Sequence, residues 1–178
     1  ERELLAHEAE RMGLQVGEDE AANLVADGKL SLTQPVTRYV PALGEAFARV
    51  SLQQLLSHSA GLCEAAPGRE SKDDDALQTE IAAWPSAPRF YTEPGAQFSY
   101  AGPSYYLSGR ILEVATSKPY ADAMEQLVFA PLGMNASYFS EADVPRGRLA
   151  TAYVPGPSGP QKVKHWRLGA AEAAGGIY

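Results

Sequence analysis

Apolar residues recur along this chain at helical spacing, in blocks separated by proline and glycine. The longest block runs from Tyr106 to Ala115, where Tyr106, Leu107, Ile111, Leu112, Val114 and Ala115 follow a period near 3.6. Gly102-Pro103 stands just before it. A proline at the first helical position gives up no hydrogen bond, so the helix is predicted to begin there. Ser117-Lys118-Pro119 ends it, and a second helix is predicted to bury Ala123, Met124, Leu127 and Val128. Upstream, residues 1–13 read as an amphipathic helix with Leu4, Leu5, Ala9 and Met12 inward. Another is predicted from about Glu18 to Asp27, with acids in its first turn and Gly28 just past its end. Ser51 and Gln54 form a capping box, which predicts a short helix carrying Leu52, Leu55 and Leu56. A further helix, Ala76 to Trp84, follows the solvated acids Asp73-Asp74-Asp75 and stops at Pro85.

The remaining segments lack that period. Residues after Gly28 read as extended and irregular through Pro35 and Pro41 to Leu43. Pro85-Ser86-Ala87-Pro88 is a short irregular connection. Ala150–Val154 and Gln161–Trp166 have strand-like content, and the proline- and glycine-rich stretch from Pro155 to Pro160 between them predicts a hairpin. The sum is a single, mainly α domain over residues 1–178 with a few short strands. Composition then removes several function classes. No apolar run approaches the ~18 residues a membrane helix needs. With 22 acidic against 15 basic residues the net charge is −7, which argues against a nucleic-acid partner. Cys63 is the sole cysteine, so no internal disulfide forms and the compartment stays open. The polar opening Glu1-Arg2-Glu3 does not read as a signal peptide. His7, His58 and His165 have no metal-ligand spacing, so no metal site and no cofactor are expected. The ring of His58 is expected to cap the end of the Leu52–Leu56 helix, and Cys63 to be buried or half-buried. A nucleophile at Cys63 or Ser59, the candidates near a histidine, would need an orienting third group that is not legible here.

Four stretches carry a resemblance, in the same order along the chain. They are Gly28-Lys29-Leu30-Ser31-Leu32 with Pro35-Val36 and Tyr39-Val40-Pro41; Ser51 to Leu62 (SLQQLLSHSAGL); Phe98 to Met134; and Ala173-Ala174-Gly175-Gly176-Ile177-Tyr178. Together they resemble the serine β-lactamase and penicillin-binding family, in the class C branch that also holds carboxylesterases and D-peptidases. The resemblance implies the helical lobe of that α+β fold, about residues 18–140. Residues 141–178 would supply the hairpin and the start of the next segment, leaving the sheet incomplete. It implies hydrolysis of an amide or ester bond in a small-molecule, peptide or acyl ligand, and a family often periplasmic or secreted.

By the same resemblance Tyr100 is the general base or proton relay, and Gly102 stands where the family has a substrate-orienting asparagine. A free phenol titrates near ~10, so the family's tyrosine needs neighbouring lysines to work near neutrality. Those come from Ser-x-x-Lys and from Lys-Thr-Gly or His-x-Gly, and none of these motifs occurs in this chain. No serine is followed by lysine three residues later, and Ser158 with Lys162 four residues on lies in a glycine/proline loop. The expectation is a catalytically incomplete fragment or internally deleted form. The alternative is a non-catalytic pseudoenzyme or binding module. Helices that pack on the missing sheet would expose apolar faces open to self-association.

Overall fold

The computed structural model describes residues 24–25, 27–65, 74–84, 90–164 and 168–178. The helix expected over residues 1–13, most of the one from Glu18 to Asp27, the Pro85–Pro88 connection and the end of the second strand lie outside them. Leu24 and Val25 are helical, and Gly28 turns the chain out of that helix at φ 70°. The Leu30 N–H donates to the Leu24 carbonyl at 2.7 Å, closing the helix end at the predicted glycine.

Four α-helices follow: α1 (Leu52–Leu56), α2 (Ala76–Ala82), α3 (Gly102–Thr116) and α4 (Tyr120–Met124), the last continuing as a π-helical turn, Glu125–Phe129. The capping box of α1 is complete. Ser51 accepts from the Gln54 N–H, and the Gln54 side chain accepts from the Ser51 N–H at 2.9 Å. Leu52 and Leu55 are buried, but Leu56 is exposed. The hairpin forms where expected and is short, with β1 (Tyr153–Val154) antiparallel to β2 (Gln161–Lys162) and Tyr153 opposite Lys162. Among the described residues this is the only sheet, so the described chain is helical with one small two-stranded ribbon. No helix among them is long and apolar enough to cross a membrane.

One segment departs from its expectation. The stretch after Gly28 is not extended through Pro41: three consecutive 3₁₀ turns, Val36–Arg38, Pro41–Leu43 and Glu45–Phe47, fold it against the core. Each turn buries one apolar residue, Val36, Leu43 and Phe47 respectively. A 3₁₀ turn needs only one anchor of that kind, and an isolated anchor has no period to detect in the sequence. Phe47 then stacks on Trp84 and tilts against Phe90, joining these turns to α2.

The core gathers around α3, which packs against α1, α2, α4 and a 3₁₀ segment, Gly169–Ala174. Tyr106, Leu107 and Ile111 are buried as the period predicts, whereas Val114 is 38% exposed. The buried arc also includes Gly109 and Glu113, which periodicity does not select. Gly109 has a packing reason: a Cβ there would stand 2.6 Å from the Ala173 Cβ, so only glycine admits the 3₁₀ segment this closely. Glu113 has a polar one. Its Oε1 accepts from the Tyr120 N–H at 3.2 Å, and its Oε2 from Arg110 at 2.9 Å. Pro119, at the N-cap of α4, offers no capping side chain, so Glu113 supplies the cap from the preceding helix.

Burial holds the Glu113 carboxyl above its ordinary value, against the opposing pull of Arg110 and of the Tyr120 N–H. The folded state therefore binds this proton more tightly than the unfolded one. The stability contribution is fully present below the unfolded value and is lost as pH rises through the folded one. Glu113→Gln keeps an acceptor for Tyr120 and does not titrate. The stability of E113Q relative to wild type, from urea midpoints, is expected to increase as pH rises out of the carboxylate range. A difference that stays flat with pH would contradict the assignment.

Candidate functional site

Two segments far apart in sequence are laced together to form the site. After α1 the chain reverses at His58, whose φ of 52° is left-handed, an uncommon state for a residue with a Cβ. From there Ser57–Leu62 runs beside Phe90–Ala101. The Tyr91 N–H donates to the Gly61 carbonyl at 2.9 Å, Gly95 to Ser59 at 2.7 Å, and Ser99 to His58 at 2.8 Å. Leu62 and Phe90 form an antiparallel bridge at the far end. This lacing delivers Tyr100 to the start of α3. Its ring lies in the open, 61% exposed.

The His58 ring sits against it. The two centroids are 4.6 Å apart, Tyr105 stands at 5.1 Å from His58, and Phe98 meets the imidazole edge-on at 5.9 Å. His58 Nδ1 accepts from the Ala101 N–H at 3.2 Å. The neutral imidazole therefore carries its proton on Nε2. The expected ring cap on α1 is thus overturned. The Leu56 carbonyl receives its hydrogen bond from the Tyr105 hydroxyl at 3.3 Å instead. The left-handed backbone at His58 redirects the chain, and the ring caps the entry to α3 rather than the exit of α1. No hydrogen bond joins the His58 ring to Ser59 or Cys63; the Ser59 hydroxyl pairs with that of Ser57 at 2.8 Å, and Cys63 is half-buried.

Gly102 is the first residue of α3 and is buried. Its N–H, one of the orphan donors of the helix start, donates to Glu64 Oε2 at 2.7 Å. A Cβ at this position would stand 3.1 Å from the Tyr106 hydroxyl and 3.3 Å from Glu64 Oε1. Burial and the charges of Glu64 and Glu80 raise the Tyr106 phenol above its ordinary value. Glu80 in turn accepts from the Trp84 indole at 3.1 Å. Tyr100 and Gly102 are therefore brought to one corner, with His58, Glu64 and Tyr106 around them. Sequence reasoning passed over Glu64 because nothing local marks a carboxylate that caps a helix 38 residues away.

Among the described residues no group of histidine, cysteine, aspartate or glutamate is arranged to hold a metal ion. A cavity of about 270 Å³ opens elsewhere, between Leu77, Glu113, Tyr120, Phe139, Glu172 and Tyr178. Tyr100 does not line it, so the cavity is not the site assembled above.

The family model described as Beta-lactamase matches residues 21–178. The chain belongs to the beta-lactamase family. It is similar to a beta-lactamase of Pseudomonas fluorescens, 31% identical over 134 residues that make up 75% of this chain and 36% of that protein. Esterase EstB of Burkholderia gladioli is 32% identical over 160 residues, covering 79% of this chain and 40% of the esterase. Among solved structures, D-amino acid amidase from Ochrobactrum anthropi SV3 matches with a TM-score of 0.69 at 28% identity, over 86% of this chain and 48% of its own. A class C beta-lactamase matches with a TM-score of 0.66 at 30% identity, over 86% and 41%. This beta-lactamase-family chain thus spans well under two thirds of the length of these relatives.

The Ala101 N–H belongs to a fully buried residue, so removing its acceptor leaves an unpaired donor. His58→Phe is expected to cost about 1–3 kcal/mol in urea denaturation and to speed amide exchange at Ala101. Unchanged stability and exchange would show that the bond does not hold this corner.

Proposed function

We propose that this chain is the helical lobe of a β-lactamase-related serine hydrolase acting on an amide or ester bond. Tyr100 is its general base or proton relay, and Gly102 stands at its substrate-binding position. The observation behind this reading is the presentation of Tyr100. Its phenol lies exposed at the start of a buried helix, with its loop laced to Ser57–Leu62. A rigid backbone with an open phenol is what a proton-transfer group requires. The bond class draws on the relatives, which include a beta-lactamase, an esterase and an amidase.

The 178 residues form one partial domain in this reading, with the helical lobe at about 18–140 and the hairpin segment at 141–178. They are catalytically incomplete alone. The chain has no Ser-x-x-Lys and no Lys-Thr-Gly, and among the described residues no lysine or arginine is hydrogen-bonded to Tyr100. Absence of the nucleophile costs on the order of a millionfold in turnover. A second reading, a non-catalytic binder of a peptide or acyl ligand, draws on the exposed rings of Phe98 and Tyr100, each in contact with the His58 ring. Self-association, in this reading, would use the apolar helix faces that pack on the missing sheet.

Fluorophosphonate labelling and nitrophenyl-ester hydrolysis by the isolated, folded chain are expected to be absent. Stoichiometric labelling, with turnover abolished by one serine or cysteine substitution, would overturn the incompleteness. Placed in the Burkholderia gladioli esterase in exchange for its matching segment, residues 28–178 are expected to support hydrolysis. Tyr100→Phe should then lower that hydrolysis by about 10²–10⁴-fold. Equal hydrolysis by the Y100F chimera would remove Tyr100 from the chemistry.

A further inference from the structure

The cavity of about 270 Å³ that Tyr100 does not line has a definite charge. Carboxylates reach its wall from four separate segments: Asp74 before α2, Glu113 of α3, Glu141 of a 3₁₀ turn and Glu172 of the Gly169–Ala174 segment. No lysine, arginine or histidine is among the described residues that line it. Glu113 is buried and already joined to Arg110 and to the Tyr120 N–H. Asp74 and Glu141 are exposed, and Glu172 is half-buried. The ion pairs among the described residues are Arg49 with Glu93 and Arg110 with Glu113, so neither Asp74 nor Glu141 is neutralised by one. Burial raises the Glu113 carboxyl above its ordinary value and the charge of Asp74 adds to it; burial, then Glu172, does the same to the Tyr120 phenol. Such a cavity attracts cations and repels anions.

The rest of the wall says which kind of cation. Tyr120, Phe139 and Tyr178 bring aromatic rings to it, and their places are fixed. Phe139 stacks on Phe129 at 5.4 Å and meets Tyr120 edge-on at 5.5 Å. Tyr178 exchanges two backbone hydrogen bonds with Tyr138, at 3.0 and 2.7 Å. The acids, in contrast, do not converge: among the described residues no three metal-ligating side chains are grouped to hold an ion. A bare divalent cation needs several oxygens around one point. Carboxylates on separate elements, with aromatic rings on the same wall, suit an extended cation with an ammonium at each end and an alkyl stem between. The volume is below that of drug-sized pockets, so the ligand has few atoms.

We propose that this cavity is a binding site for a small linear alkyl diamine, separate from the site of Tyr100. The ammonium ends are received by the carboxylates of Asp74, Glu141 and Glu172, and the stem lies against the rings of Tyr120 and Phe139. Glu113 keeps its bonds to Arg110 and Tyr120 and adds charge to the wall. The ligand touches α2, α3, α4 and the Gly169–Ala174 segment at once, so its binding stabilises the folded chain. No bond is made or broken there, and the site stands whether or not Tyr100 transfers a proton.

Butane-1,4-diamine and butane-1,4-diol have the same length and differ in charge, so they are the probes. Each is titrated into the ¹⁵N-labelled 178-residue chain at physiological ionic strength, where diffuse attraction to the chain's net charge is screened. The readouts are the amide resonances of Tyr120, Phe139, Glu141, Glu172 and Gly176, and the urea midpoint. The diamine is expected to move these amides with an affinity about tenfold above that of the diol, and to raise the midpoint. Magnesium ion at the same concentration should leave them in place. The double variant Asp74→Asn, Glu141→Gln changes two exposed side chains and should bring diamine and diol to parity. Phe139→Leu should weaken the diamine roughly threefold and leave the diol unchanged. Four results would each overturn the proposal: equal binding of the two probes by wild type, a full preference in the double variant, an equal response to magnesium, or shifts confined to acids outside the cavity such as Asp122 and Glu125.

Discussion

Everything at the candidate site depends on where α3 begins. It packs against α1, α2 and the Gly169–Ala174 segment, and Leu107 and Ile111 are fully buried. Each such side chain contributes roughly 1.5–3 kcal/mol of burial, enough to fix the helix against sliding. Pro103 in the first turn and the Glu64 carboxylate on the Gly102 N–H then set its starting residue. With that residue fixed, Tyr100 has one place to be. One or two residues later the chain is buried, at Ala101 and Gly102, and a phenol there would lose its exposure.

A second cost is accepted to hold the loop before it. His58 adopts a left-handed backbone, a state that costs about 1–3 kcal/mol in residues with a Cβ. Three things offset it. The reversal allows the Ser57–Leu62 segment to lace to Phe90–Ala101, it sets the imidazole against Tyr100 and Tyr105, and it supplies an acceptor for the buried Ala101 N–H. Backbone pairing of this kind makes the two segments one unit. Strain at a site is tolerated where neighbours over-determine it, and here they do.

The helices and their ends were legible in the sequence because their signals are local. Ser51 with Gln54, Gly102-Pro103, Ser117-Lys118-Pro119 and Gly28 each act within a turn of the chain, and each element appears where they put it. Tyr100 was found through the resemblance rather than through its own pattern. What was not legible depends on contacts between distant residues. The His58 ring serves Ala101, 43 residues away, and Glu64 serves Gly102, 38 residues away. Tyr105 caps α1 from α3, and Glu113 caps α4 across the elbow. No period or local motif marks a side chain whose partner comes from another element. The three 3₁₀ turns escaped for a related reason, since each is held by a single buried residue.

The central claim is that His58 and the entry to α3 form one hydrogen-bonded corner that presents Tyr100. It is tested most directly by the imidazole nitrogen resonances of His58 at neutral pH, with the scalar coupling across the Ala101 hydrogen bond. The account predicts an unprotonated, hydrogen-bonded Nδ1, a protonated Nε2 and a coupling from Nδ1 to the Ala101 amide. A proton on Nδ1, or no coupling to Ala101 in a folded chain, would contradict it and leave the position of Tyr100 without its support.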